Sequence, residues 1–128
     1  MTTMMKRLAM TGLLAIAACG SRYDSLQLER VAGDEAARGN DDGFSVTEGR
    51  AVVYEVKPLA NDQHRDYDAL DELQLRTADP RIARFERGVA VDTWMLIGVS
   101  AGETEVHVEI NGRTQDTLLV SVRPQEGF

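Results

Sequence analysis

One cysteine, two histidines, three prolines and one tryptophan are all that this 128-residue chain holds of those residue types. A single cysteine excludes an internal disulfide, so any stable body must rest on an apolar core. Two histidines, His64 and His107, fall short of the three protein ligands that a catalytic zinc usually takes. Ser45, Ser100 and Ser121 stand outside any Gly-x-Ser-x-Gly elbow, and no glycine-rich loop leads into a helix. These gaps argue against an enzyme of any class. Cations are scarce too: 14 Lys and Arg against 21 Asp and Glu give a formal charge of −7, which argues against nucleic acid as a partner. The amino-terminal apolar run, residues 8–18, is shorter than the roughly 20 residues a spanning helix requires.

That run has the layout of an export signal. Lys6 and Arg7 precede it and small residues close it. Its exit, Ile16, Ala17, Ala18 and Cys19, resembles the lipobox of bacterial lipoproteins. The resemblance implies a diacylglycerol on the Cys19 sulfur, cleavage before Cys19 and an acyl chain on the new amino group. An ordinary cleaved signal with an incidental cysteine is the competing reading. Two or more acyl chains hold firmly, because each buried CH2 contributes roughly 0.8 kcal/mol. Gly20, rather than an acid, follows the cysteine, which by the same resemblance favours the outer membrane. Removing residues 1–18 takes two cations and no acid, so the remainder is more negative still and electrostatic attachment to anionic lipid is disfavoured.

Residues 19–42 are expected to form the lipidated cysteine and a tether, since glycine, asparagine and aspartate cluster at 33–43. Within it, Leu26 and Leu28 alternate with polar residues and suggest a first edge strand over 23–31, with a short helix turn as the alternative. From Phe44 the chain alternates with period two, with turn residues every 8–15 positions, the pattern of an antiparallel sandwich or barrel. Val52, Tyr54 and Val56 share a face, and Pro58 is expected to end their strand. Leu73 and Leu75 share another. Thr104, Val106, Val108 and Ile110 are expected inward, with Glu103, Glu105, His107 and Glu109 outward; a one-residue slip would bury three carboxylates. Asn111 and Gly112 predict a hairpin, and Leu118, Val120 and Val122 face the core of its second strand.

The Glu48-Gly49 turn, Val56-Lys57-Pro58, the corner at 77–83, the segment Gly98-Val99-Ser100-Ala101-Gly102 and the closing Leu118-Leu119-Val120-Ser121-Val122 together resemble bacterial immunoglobulin-like domains of group 2, found in surface proteins such as intimins and invasins. The resemblance covers residues 44–122 and implies an immunoglobulin-like sandwich with no catalytic residues to transfer. It departs at the acidic loop and around Trp94. The expected organisation is therefore a signal over 1–18, a tether over 19–42, an all-β, immunoglobulin-like antiparallel sandwich of about seven strands over 43–123, and a tail over 124–128.

Two constellations could bind. The loop at 61–72 concentrates carboxylates, and Asp66, Asp68, Asp71 and Glu72 could offer oxygens to calcium. Against this, it lacks the glycine and terminal glutamate of an EF-hand loop, so solvated acidic surface is the plainer reading. Trp94 and Tyr67 could stack on a sugar if exposed. Trp94 sits in the most apolar stretch, which favours the core, and so few aromatics make a poor platform. The expected function is a non-catalytic, lipid-anchored envelope module that interacts or spaces, at the membrane through its lipid and with another envelope protein or a polysaccharide. The alternative is a carbohydrate- or peptidoglycan-binding module, with calcium as an aid.

Overall fold

The alternation read above dictates where each side chain goes. Thr104, Val106, Val108 and Ile110 are buried, while Glu103 and Glu105 between them are exposed. Repeated along the chain, that pattern makes strands with one apolar face each, which must be covered by a second layer. The computed structural model describes residues 23–60, 65, 66 and 72–126. Among the described residues there are ten strands: β1 (Tyr23–Gly33), β2 (Arg38–Asn40), β3 (Gly43–Thr47), β4 (Ala51–Ala60), β5 (Arg65–Asp66), β6 (Leu73–Thr77), β7 (Ala83–Arg87), β8 (Thr93–Gly98), β9 (Gly102–Ile110) and β10 (Arg113–Arg123).

They form two sheets, β1-β4-β8-β7 with β5 added to β4, and β2-β3-β10-β9-β6. The first has the A-B-E-D order of an immunoglobulin sandwich, and β10-β9-β6 has its G-F-C order. The core lies between the sheets. Val52, Leu96, Val46, Val106, Val108 and Val120 are fully buried there. Phe44 of the second sheet meets Tyr54 and Phe85 of the first edge-on, with centroids 5.7 and 5.1 Å apart. The β9–β10 hairpin closes as expected: Asn111 (φ 54°) and Gly112 (φ 81°) are both left-handed, as a two-residue type I′ turn demands.

Four features depart from the sequence expectation. The stretch assigned to a tether is largely part of the sandwich. β1 pairs antiparallel with β4 from Tyr23 opposite Ala60 to Gly33 opposite Val52, and Leu26 is only 5% exposed. Leu26 and the half-buried Leu28 give this edge strand its single apolar face, so its polar composition is compatible with order. β2 follows inside the same stretch, so only residues 20–22 lie between Cys19 and the first strand. Second, β3 runs parallel to β10, from Gly43 opposite Leu119 to Thr47 opposite Arg123, so the second sheet is mixed. Third, β4 does not stop at Pro58 but continues to Ala60. The Val56 amide donates to Asp92 O, on the side away from β1. Position 58 faces that same side beyond the start of β8, where no ladder bond is lost to proline. Fourth, with short β2 and β5 included the described strands number ten, against about seven expected.

Candidate functional site

The strand directions create two poles. At one lie the start of β1, the end of β4, Glu72, the β7–β8 turn and the β9–β10 hairpin. At the other lie the β1–β2 corner, the turns at 47–51 and 98–102, and the tail after β10.

The second pole is built on Asp34. Its amide donates to Ala51 O at 2.8 Å, and its own carbonyl accepts from the Ala37 amide at 3.1 Å. Its Oδ1 accepts from the Ala36 amide at 3.1 Å, an Asx turn, and Oδ2 accepts from the Thr47 amide at 2.9 Å. Burial pushes the Asp34 carboxyl up. The amide and hydroxyl of Thr47, the amide of Ala36 and the charge of Arg50 outweigh it, so Asp34 titrates below the ordinary carboxylate range. Arg123 Nη2 donates to Ala36 O at 2.7 Å. Beside this corner a cleft of about 890 Å³ opens between Thr47, Arg50, Arg123 and the tail residues Pro124 to Glu126. Both Asp34 oxygens are already engaged by backbone N–H groups, so the carboxylate fixes the corner and is not poised as a base.

Cys19, Tyr67, Asp68 and Asp71 lie outside the described residues. Asp66 belongs to β5, its backbone opposite Leu59. Glu72 is exposed, and one oxygen of its carboxylate is already occupied. Gln74 Nε2 donates to Oε1 at 2.7 Å, and Arg87 Nη2 stands 4.0 Å from the same oxygen. Among the described residues no three His, Cys, Asp or Glu converge as metal ligands.

Trp94 corrects the idea of a surface stacking residue. It is 4% exposed, on the inward face of β8 between Tyr54 of β4 and Arg87 of β7. The Arg87 guanidinium lies 4.8 Å from the ring centroid, covering the part nearest solvent by a cation–π contact. No ring face is left for a sugar, so the aromatic platform that a carbohydrate- or peptidoglycan-binding module would need is not formed at Trp94. Asp34 was the residue sequence reasoning missed. The Gly33-Asp34 turn pair was its signal, but a distant acceptor role toward Thr47 leaves no local mark.

No family model matches the chain, and no curated protein matches it. Solved structures do. Domains 4 and 5 of the S-layer protein SbsC superpose with a TM-score of 0.51 at 14% identity, covering 76% of this chain and 54% of that one. Domains 1–6 of the surface layer protein SbsC give 0.56 at 12% identity, covering 84% of this chain and 14% of that one. The chain thus spans about half of one matched structure and a small part of the other. At such identities the likeness concerns the fold: a β-sandwich of the kind found in a bacterial surface protein.

Proposed function

We propose that the chain is a lipid-anchored, non-catalytic module of the bacterial cell envelope, with the outer membrane favoured. Its immunoglobulin-like sandwich engages another envelope protein or a polysaccharide, or spaces such a partner from the membrane. The observation that carries this reading is the position of Cys19. It closes a lipobox-like signal and stands four residues before the first strand, where a lipid would hold the sandwich directly at a bilayer. The shared fold with domains of an S-layer protein supports a structural role at a cell surface. The Asp34 carboxylate, with both oxygens engaged by backbone amides, also favours binding and spacing over chemistry.

Mass spectrometry of the protein from its native host tests the anchor. The expected amino-terminal peptide begins at Cys19 and carries diacylglycerol with an added acyl chain. Cys19→Ser is expected to move the protein from the membrane fraction to the soluble one. A free Cys19 thiol, or an intact leader, would refute the proposal.

A further inference from the structure

The two seams of the sandwich are closed differently. Between β6 and β7 the sheets are bridged: Thr77 Oγ1 donates to Ala83 O at 2.7 Å, and Arg87 Nη2 to Leu73 O at 2.9 Å. The ion pairs Arg76–Glu109, Arg81–Asp79, Arg84–Glu86 and Arg87–Glu72 all lie on that side. Between β1 and β2 the cations are left over. Among the described residues Arg30 has no hydrogen bond or ion pair, and Arg38 donates only to the carbonyl of its neighbour Ala37, at 3.1 Å. Both flank one buried group. Arg30 stands opposite Tyr54 in the ladder, on the same inward face. Gly39, next to Arg38, covers the Tyr54 phenol, where a Cβ would come within 2.9 Å of the hydroxyl. That hydroxyl is buried without a partner among the described residues. Burial pushes the Tyr54 phenol up, and the charges of Arg30 and Arg38 act against that rise.

Beside these cations runs an open ladder edge. Among the described residues β1 pairs only with β4, and β2 belongs to the other sheet. The Val56 amide donates to Asp92 O, away from β1, so the backbone groups of its register partner Leu28 also point away from β4. Pairing is regular from Ser25 to Arg30, so Leu26, Leu28 and Arg30 all send their N–H and C=O to the open edge. Their side chains share the inward face, with Leu26 buried, Leu28 half-buried and Arg30 exposed. Glu29 lies on the outward face, opposite Glu55, and does not oppose an anion at the seam.

We infer that this edge takes an antiparallel strand from another protein, with an Asp or Glu of that strand opposite Arg30 and its carboxylate between the Arg30 and Arg38 guanidinium groups. The row of free backbone groups names a peptide as occupant. The unpaired cations, in a chain of net charge −7, make it acidic. The fitting segment reads acid-x-apolar-x-apolar, its apolar residues opposite Leu28 and Leu26. The inference rests on the reading of the chain as an interaction module and not on its lipid, so the Cys19 mass and this contact can fail separately.

The test is amide NMR on the full chain in detergent micelles, titrated with the end-blocked peptide Glu-Thr-Val-Thr-Val and its Gln-Thr-Val-Thr-Val twin. The Leu26, Leu28 and Arg30 amides are expected to shift. The acidic peptide is expected to bind about two- to fivefold more tightly than its twin, an advantage lost in Arg30→Gln and at high salt. Arg30 is exposed, and blue Trp94 emission reports that the variant is folded; the comparison of the two peptides on the unmodified chain stands without it. Silence of those three amides at millimolar peptide overturns the inference, and so does equal affinity for the two peptides. Shifts at the same amides that grow with protein concentration alone also overturn it, since a second copy would then occupy the edge.

Discussion

Single side chains decide how firmly the two sheets join. Leu96 is fully buried at the centre of β8, so Leu96→Ala is expected to cost about 2–5 kcal/mol in chemical denaturation, by transfer and cavity terms together. Tyr54 behaves differently. Its ring packs on Phe44, but its hydroxyl is buried without a hydrogen-bond partner among the described residues. Tyr54→Phe removes that unpaired group and is expected to leave the melting temperature unchanged or raised, where loss of a bonded hydroxyl would lower it. Asp34 supplies the pH dependence. Its folded pKa lies below its unfolded value, so its stabilisation is present above the ordinary carboxylate pKa and is lost as pH falls through the folded one. Denaturation midpoints of Asp34→Asn are therefore expected to fall at neutral pH and to change less than wild type on acidification. A parallel pH profile in the two proteins would dismiss Asp34 as the titrating group.

Among the elements, β1 separates what sequence pattern can show from what it cannot. The inward sets of β4, β9 and β10 were legible because alternation there is unbroken and both strand neighbours reinforce it. β1 was only half legible: Leu26 and Leu28 mark it, but register shifts at Tyr23/Ser25 and Arg30/Ala32 break the period and five exposed residues end it. β2 is three residues with a central glycine and has no period to read. Gly39 is required there because a Cβ would stand 2.9 Å from the Tyr54 ring. Pairing β3 parallel to β10 joins residues some 76 positions apart, as in Gly43 with Leu119, and leaves no local trace. Order in β1 has a direct test: amides donating to β4 are expected to exchange with deuterium slowly, and Leu26→Asp to unfold the domain or sharply lower its melting point. Rapid exchange throughout residues 23–33 would restore the tether.

Across the whole molecule, the candidate site was less legible than the fold. Composition argued against several chemistries and singled out Cys19, which lies outside the described residues, but the two poles exist only once strand directions are known. Trp94 illustrates the difference: its apolar neighbours in sequence suggested burial, yet the Arg87 cover comes from a different strand. Its emission is expected to be blue and resistant to iodide, with Arg87→Ala increasing access modestly; red, freely quenched emission would reopen a stacking role.

Tyr23 and Arg123 stand at opposite ends of the body, and β3 and β10 run side by side in the same direction between them. Tension applied at the amino-terminal end and resisted at the other slides these two strands past one another, so their bonds bear the load together instead of opening one by one. Single-molecule stretching from the two termini is expected to show one high rupture force, sharply reduced by Val46→Pro, which removes a donor from the shared ladder. A protein fixed to a surface that is pushed and pulled by its surroundings would gain from that arrangement a resistance that its equilibrium stability alone does not measure.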